Sequence, residues 1–135
     1  MKTITFLFIA TLFAFHSKAQ EWQTSYEENG IAIQYQLTEI NDPQLGIHHA
    51  RIIFRYENKT NQVVQLSFNR LITYTDSEAA KPQENNFTVS IPANSSIEYN
   101  SSNSKDKTFY LFAQDKKNTI KRSLIGFDIK NVTIN

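Results

Sequence analysis

Beyond residue 20 the chain alternates apolar and polar residues with a period of two over most of its length, and this alternation restricts the fold more than any other feature. Successive side chains of a β-strand point to opposite faces, so the pattern predicts half-buried strands. No stretch shows a sustained apolar repeat of 3.6 residues, so we expect little or no helix there. The predicted strands are residues 22–27, 31–38, 47–57, 63–75, 87–91, 97–99, 109–113 and 120–134.

Turn residues separate these strands. Asn29-Gly30 stands between the first two and is the strongest short hairpin signal, because both residues tolerate a positive φ. The polar stretch of residues 76–86 is the longest predicted loop, and residues 100–104 form a second polar tract. Short strands at a spacing of roughly ten residues are typical of antiparallel folds with two sheets.

Two positions break the alternation. Arg70 occupies an inward slot of its strand, which predicts a bulge or a position at the rim of the sheet. In the last strand the apolar positions shift parity between Ile129 and Val132, which predicts a bulge near Asn131.

The predicted fold class is therefore all-β: an antiparallel two-sheet sandwich of immunoglobulin-like type with 7–8 strands. A small closed barrel is the structural alternative. Parallel α/β architectures are excluded because the chain offers no crossover helices.

The first nineteen residues have the three parts of a secretory signal peptide. Lys2 supplies a positive charge, residues 4–15 are mostly apolar, and Ser17 and Ala19 are small residues before the expected cleavage site. About a dozen apolar residues is too short for a transmembrane helix, which needs roughly 20. We therefore expect cleavage near Ala19, one domain over residues 20–135, and a periplasmic or extracellular product with no membrane span.

Composition excludes several classes of function. With no cysteine and three glycines, the chain lacks disulfides, thiol nucleophiles, thiolate metal sites and a phosphate-cradling loop. The formal net charge is +1, and it becomes −1 when Lys2 and Lys18 leave with the signal peptide. The chain therefore lacks the basic excess that is typical of nucleic-acid-binding proteins. An exported domain without disulfides must be stabilised by its aromatic-rich core.

No catalytic or metal-binding pattern is present. His48-His49 would place its rings on opposite faces of a strand, which opposes shared metal ligation. Asp76, Glu78 and Glu84 lie in one predicted loop but lack the spacing of a calcium loop. We expect no cofactor, no metal and no catalytic residue; the alternative is a small hydrolase or metal-dependent enzyme that uses one of the histidines with Asp76 or Glu78.

A candidate binding surface combines a basic turn with an aromatic strand. The turn could contact an anionic partner, whereas its simpler interpretation is a solvated turn that protects strand edges. The strand, residues 109–112, is apolar on both faces and is either a central core strand or an aromatic patch for a sugar ring or a protein. The candidate residues are Lys116, Lys117, Lys121 and Arg122 in the turn and Tyr110 and Phe112 in the strand.

Several segments resemble small exported β-sandwich proteins of unknown function from Gram-negative bacteria. They are Trp22 with residues 30–35, then 53–60, 91–95 and 124–132. The resemblance implies export and the sandwich fold, and it implies no catalytic residue.

The functional hypothesis is an exported, non-enzymatic module that binds a protein or a glycan of the cell envelope through a sheet face, an edge strand or end loops. Besides the enzyme alternative above, an inhibitor or accessory subunit of a secreted enzyme fits the same features.

Overall fold

The computed structural model describes residues 21–75, 83–115 and 122–135. These residues form eight β-strands and no helix, so no helix among them is long and apolar enough to cross a membrane. The strands are β1 (Gln23–Glu28), β2 (Ile31–Asp42), β3 (Ile47–Asn58), β4 (Val64–Tyr74), β5 (Gln83–Ile91), β6 (Ser95–Glu98), β7 (Tyr110–Asp115) and β8 (Leu124–Ile134). The predicted all-β class is confirmed.

The strands form two antiparallel sheets. One sheet has the order β1-β2-β3, and β6 and β7 lie end to end along the far side of β3, beside Arg55–Asn58 and His49–Ile53 respectively. The other sheet has the order β5-β4-β8. The predicted two-sheet sandwich is confirmed, and the strand order is compatible with its immunoglobulin-like assignment, which stays a prediction.

Alternate residues of the strands fill the space between the sheets, as the period of two predicts. The buried apolar residues of this core are Ile31, Ile33, Ala50, Ile52, Phe54, Tyr56, Val64, Leu66, Phe68, Ile72, Tyr74, Val89, Ile91, Leu111 and Ala113. Aromatic pairs join the two layers: the ring of Phe54 lies 5.4 Å from that of Phe127, and Tyr56 lies 5.7 Å from Phe68. Each such pair contributes about 0.5–1.5 kcal/mol beyond burial of its area, which helps a core without disulfides.

The β1–β2 hairpin turns as predicted. Asn29 and Gly30 both have positive φ, 52° and 79°, as a two-residue turn between twisted strands requires. The Gly30 carbonyl also accepts a hydrogen bond from the Lys59 amide at 2.8 Å, so the hairpin is tied to the end of β3.

Of the two irregular positions, one prediction is confirmed and one is wrong. The register between β4 and β8 shifts opposite Asn131, which has a φ of 53°, so the bulge is confirmed. Arg70 lies neither at a bulge nor at a rim: it pairs regularly with Asn85 and Ile129, and only 1% of it is exposed. Burial is tolerated because backbone carbonyls and aromatic rings surround the guanidinium.

The predicted loop of residues 76–86 ends earlier than expected, because β5 already begins at Gln83. Of the polar residues at the start of β5, Glu84 and Asn86 lie on the solvent side of the sheet, whereas Gln83 and Asn85 pair with the buried Ile72 and Arg70 on its inner side. The outward residues bond across the sheet. Asn69 Nδ2 donates to Glu84 Oε1 at 2.7 Å, for example. Polar residues on both faces therefore extend β5 beyond the point where the apolar alternation stops.

Candidate functional site

Of the six residues of the predicted binding surface, the structure describes Tyr110, Phe112 and Arg122. Lys116, Lys117 and Lys121 lie outside the described residues, as do Asp76 and Glu78 of the predicted loop. Tyr110 and Phe112 lie on β7 opposite Ile53 and Arg51, whereas Leu111 between them pairs with the buried Ile52. Because paired residues project from the same face, Tyr110 and Phe112 lie on the outer face of the five-stranded sheet. Arg122 has its guanidinium 4.5 Å from the ring of Tyr74, and it lines one cleft together with Tyr110 and Phe112.

Arg51 organises the outer face around Tyr110 and Phe112. Its Nε donates to His49 Nε2 at 2.9 Å, and its Nη1 donates to the Ser104 carbonyl at 2.8 Å and the Tyr99 hydroxyl at 3.3 Å. The guanidinium lies 4.1 Å from the centre of the Tyr110 ring. We call this cluster the arginine–aromatic face: His49, Arg51, Tyr99, Tyr110 and Phe112. Its residues are half-buried and come from three separate parts of the chain.

His49 is a hydrogen-bond acceptor in this cluster. Desolvation by burial, and next the positive charge of Arg51, lower the pKa of His49 below its ordinary value. The ring also lies 5.8 Å from that of Phe112. His48 diverges from it and lies 3.7 Å from a Glu39 carboxylate oxygen. Within residues 21–75, 83–115 and 122–135, no three His, Asp or Glu side chains are grouped so that they could hold a metal ion.

Acidification is expected to destabilise the fold through His49. The pKa of His49 in the folded chain lies below its value of 6.5 in the unfolded chain. As the pH falls through 6.5, His49 is therefore protonated first in the unfolded chain, and the free energy of unfolding decreases. His49→Gln keeps an acceptor for Arg51 and removes the titration. Urea unfolding at pH 7.5 and pH 5.5 should show a smaller loss in His49→Gln than in the wild type or in the His48→Gln control. An equal loss in all three would contradict this role.

The outer face of the other sheet is chemically different. There Ser67 Oγ and Thr88 Oγ1 lie 2.9 Å apart, and Asn69 bonds Glu84. Hydroxyl, amide and carboxylate groups at exposed positions are typical of a solvated sheet face. The arginine–aromatic face instead has the residue types that dominate protein interfaces.

A second site opens between the two sheets on the side of β5 and β7. We call it the cationic cleft: about 190 Å³, lined by Arg70, Ile72, Tyr74, Gln83, Asn85, Phe87, Lys107, Arg122 and the β7 residues Tyr110–Phe112. The Tyr74 hydroxyl donates to the Phe112 carbonyl at 2.8 Å, which holds β4 to β7 across the gap.

Arg70 is the largest buried side chain of the molecule's described part and lines this cleft. Its Nη1 donates to the Lys107 carbonyl at 2.8 Å, and its Nη2 donates to the Thr108 carbonyl at 3.0 Å and the Tyr56 hydroxyl at 3.1 Å. The guanidinium lies 3.9 Å from the Phe54 ring centre and 4.4 Å from that of Phe87. Desolvation lowers the pKa of Arg70, and Tyr56 opposes that shift.

No protein-family model, curated protein or solved structure matches the chain. The functional assignment therefore depends on the geometry of the two sites.

The sequence pointed to Tyr110 and Phe112, but it did not show that Arg51 and Arg70 are the central residues of the two sites. Arg70 had a visible signal, its inward slot in an apolar alternation. Arg51 had none, because an outward arginine on a half-buried strand is ordinary.

Proposed function

We propose that this chain is an exported, non-enzymatic module that binds a partner protein of the cell envelope through the arginine–aromatic face. The observation that carries the proposal is the arrangement of Arg51, which three hydrogen-bond acceptors and an aromatic ring hold in one orientation on an outer sheet face. Pre-ordering a long side chain reduces the entropy that binding costs.

The composition of the face supports a protein partner. Arginine and tyrosine are, with tryptophan, the residues enriched among interface hot spots. Arg51 already covers the Tyr110 ring at 4.1 Å, in the position that a stacked sugar ring would take. The face therefore favours a protein over the glycan that the sequence leaves equally open.

Export is supported by the signal-peptide pattern of residues 1–19, and assignment to exported Gram-negative sandwich proteins by the resemblance of residues 30–35 and 53–60. A partner of the envelope follows from that compartment. The chain also carries no cysteine, so a stable core and a fixed surface must serve the role that disulfide-rich loops serve in many small exported domains.

Arg51→Gln is expected to weaken partner binding by about 30-fold, the effect of losing a typical hot spot of about 2 kcal/mol. The matched control is Lys130→Gln, which removes an exposed cation paired with Asp128 on the other sheet. Immobilised residues 20–135 are incubated with envelope extract, and retained proteins are quantified for wild type and both variants. A protein retained by wild type and Lys130→Gln but lost with Arg51→Gln supports the proposal.

Retention that is the same for all three forms would contradict the proposal, as would binding only to a glycan array. Thermal unfolding of Arg51→Gln, monitored by circular dichroism, establishes that loss of binding does not reflect loss of fold.

A further inference from the structure

We propose that the cationic cleft between β5 and β7 is a binding site for a small oxyanion: the carboxylate, phosphate or sulfate group of a ligand. The cleft adjoins the arginine–aromatic face, since Tyr110 and Phe112 line it as well, but its cationic residues are different ones and the proposal does not depend on the partner proposed for that face. Three cationic residues line it: Arg70, Lys107 and Arg122. Of the described residues that line the cleft, none is aspartate or glutamate.

Arg70 gives the site a buried positive charge, and no carboxylate of residues 21–75, 83–115 or 122–135 hydrogen-bonds to it. All of its hydrogen bonds go to neutral groups, namely the Lys107 and Thr108 carbonyls and the Tyr56 hydroxyl. Tyr56 supplies no negative charge, because burial raises the pKa of its phenol well above the ordinary value. Among the described residues, Arg70 Nε has no hydrogen-bond partner although it is buried.

Asp106 lies close enough to act electrostatically on Tyr56, but it does not line the cleft. Asp106 Oδ1 accepts a hydrogen bond from the Thr108 amide at 2.9 Å, and Asp106 is not among the residues that line the site. A buried cation surrounded by apolar rings projects its field into the adjoining cavity, because the low-dielectric walls screen it weakly. An anion that enters the cleft is therefore stabilised by Arg70 even without touching it.

The remaining walls suit a compact ligand with an apolar side. Gln83 and Asn85 place amide groups along β5, and amide groups can donate to oxyanion oxygens. Ile72, Phe87 and Leu111 supply the apolar surface. A volume of about 190 Å³ admits an anionic group and a small attached body, and it lies below the range of about 300–1,000 Å³ typical of drug-sized ligands.

Arg70 also has a structural role, since it ties residues 107 and 108 to β4. That role accounts for its hydrogen bonds to carbonyls, but it requires neither Lys107 nor Arg122 to line the same cavity. A test must therefore separate the effect of Lys107 and Arg122 from that of Arg70.

The test is an NMR titration of ¹⁵N-labelled residues 20–135 with inorganic phosphate, sulfate and acetate, with sodium chloride holding the ionic strength constant. The expected result is saturable shifts of the Arg70 and Arg122 Nε–H signals and of the β5 amides from residue 83 to residue 87. Glucuronate and glycerol 3-phosphate then distinguish a sugar acid from a lipid-type headgroup as the source of the anion.

Arg122→Gln and Lys107→Gln are each expected to weaken oxyanion binding by about tenfold, the effect of losing one interaction with a charged group. Lys130→Gln, on the outer face of the other sheet, is expected to leave it unchanged. Shifts that grow linearly without saturation, or that persist equally in Arg122→Gln and Lys107→Gln, would mean an adventitious ion only and would overturn the proposal.

Discussion

Arg70→Ala is expected to lower the free energy of unfolding by about 3–5 kcal/mol, because it removes one partner from a buried polar network and leaves a cavity. The Lys107 carbonyl loses its Arg70 donor, the Thr108 carbonyl keeps only the Tyr56 hydroxyl as a donor, and Phe54 and Phe87 lose the guanidinium between them. Buried acceptors without donors cost about 1–3 kcal/mol each when water cannot replace the bond. Urea unfolding followed by tryptophan fluorescence measures the loss.

The matched control for this loss is Arg55→Ala on β3. Arg55 also contacts an aromatic ring, that of Trp22 at 4.6 Å, and donates to Gln34 at 2.7 Å, but it lies on a half-exposed outer face. Its removal is expected to cost less than about 1 kcal/mol. Equal losses of unfolding free energy in the two variants would contradict the claim that burial makes Arg70 contribute more to stability than Arg55.

Asn58→Asp is expected to destabilise the fold by about 3–4 kcal/mol, since it puts a carboxylate against carbonyl oxygens in a buried site. Asn58 is 1% exposed, and its Nδ2 donates to the carbonyls of Gln62, Ile91 and Pro92 at 2.8, 3.1 and 3.1 Å. Its Oδ1 accepts from the Thr60 amide at 2.9 Å. One side chain thus joins the end of β3 to the following turn and to the end of β5.

Asn86→Asp makes the same chemical change at an exposed position of β5 and is expected to shift stability by less than about 0.5 kcal/mol. Thermal unfolding at pH 7 compares the two variants. A midpoint of Asn58→Asp as high as that of Asn86→Asp would refute the structural role given to Asn58.

The strands could be predicted from one sequence because the alternation of apolar and polar residues along a half-buried strand shows which of its faces is buried. Ala50, Ile52, Phe54 and Tyr56 are all buried in β3, as their alternation predicts. The residue types at irregular positions were equally informative. Asn29 and Asn131 both have a positive φ, which asparagine adopts more readily than most residues. The early start of β5 was missed because its first residues pair through polar groups.

The environment of Arg70 could not be predicted in the same way. Alternation correctly placed its side chain inward, but the carbonyls that it binds lie 37 and 38 positions further along the chain. The sequence around Arg70 gave no sign of these carbonyl acceptors, so a cation at an apolar position predicted a bulge or a place at the rim of the sheet. The two sites share this property: Arg51 meets Tyr99 and Ser104, which lie 48 and 53 positions away.

The most direct measurement of the proposed function is photo-crosslinking in cells that export the chain, with p-benzoylphenylalanine in place of Phe112 or, as a control, in place of Thr88. Phe112 lies on the arginine–aromatic face, whereas Thr88 is exposed on the outer face of the other sheet. The predicted result is an adduct with one envelope protein from position 112 and none from position 88. Adducts from position 88 alone, or from neither position, would contradict binding through the arginine–aromatic face.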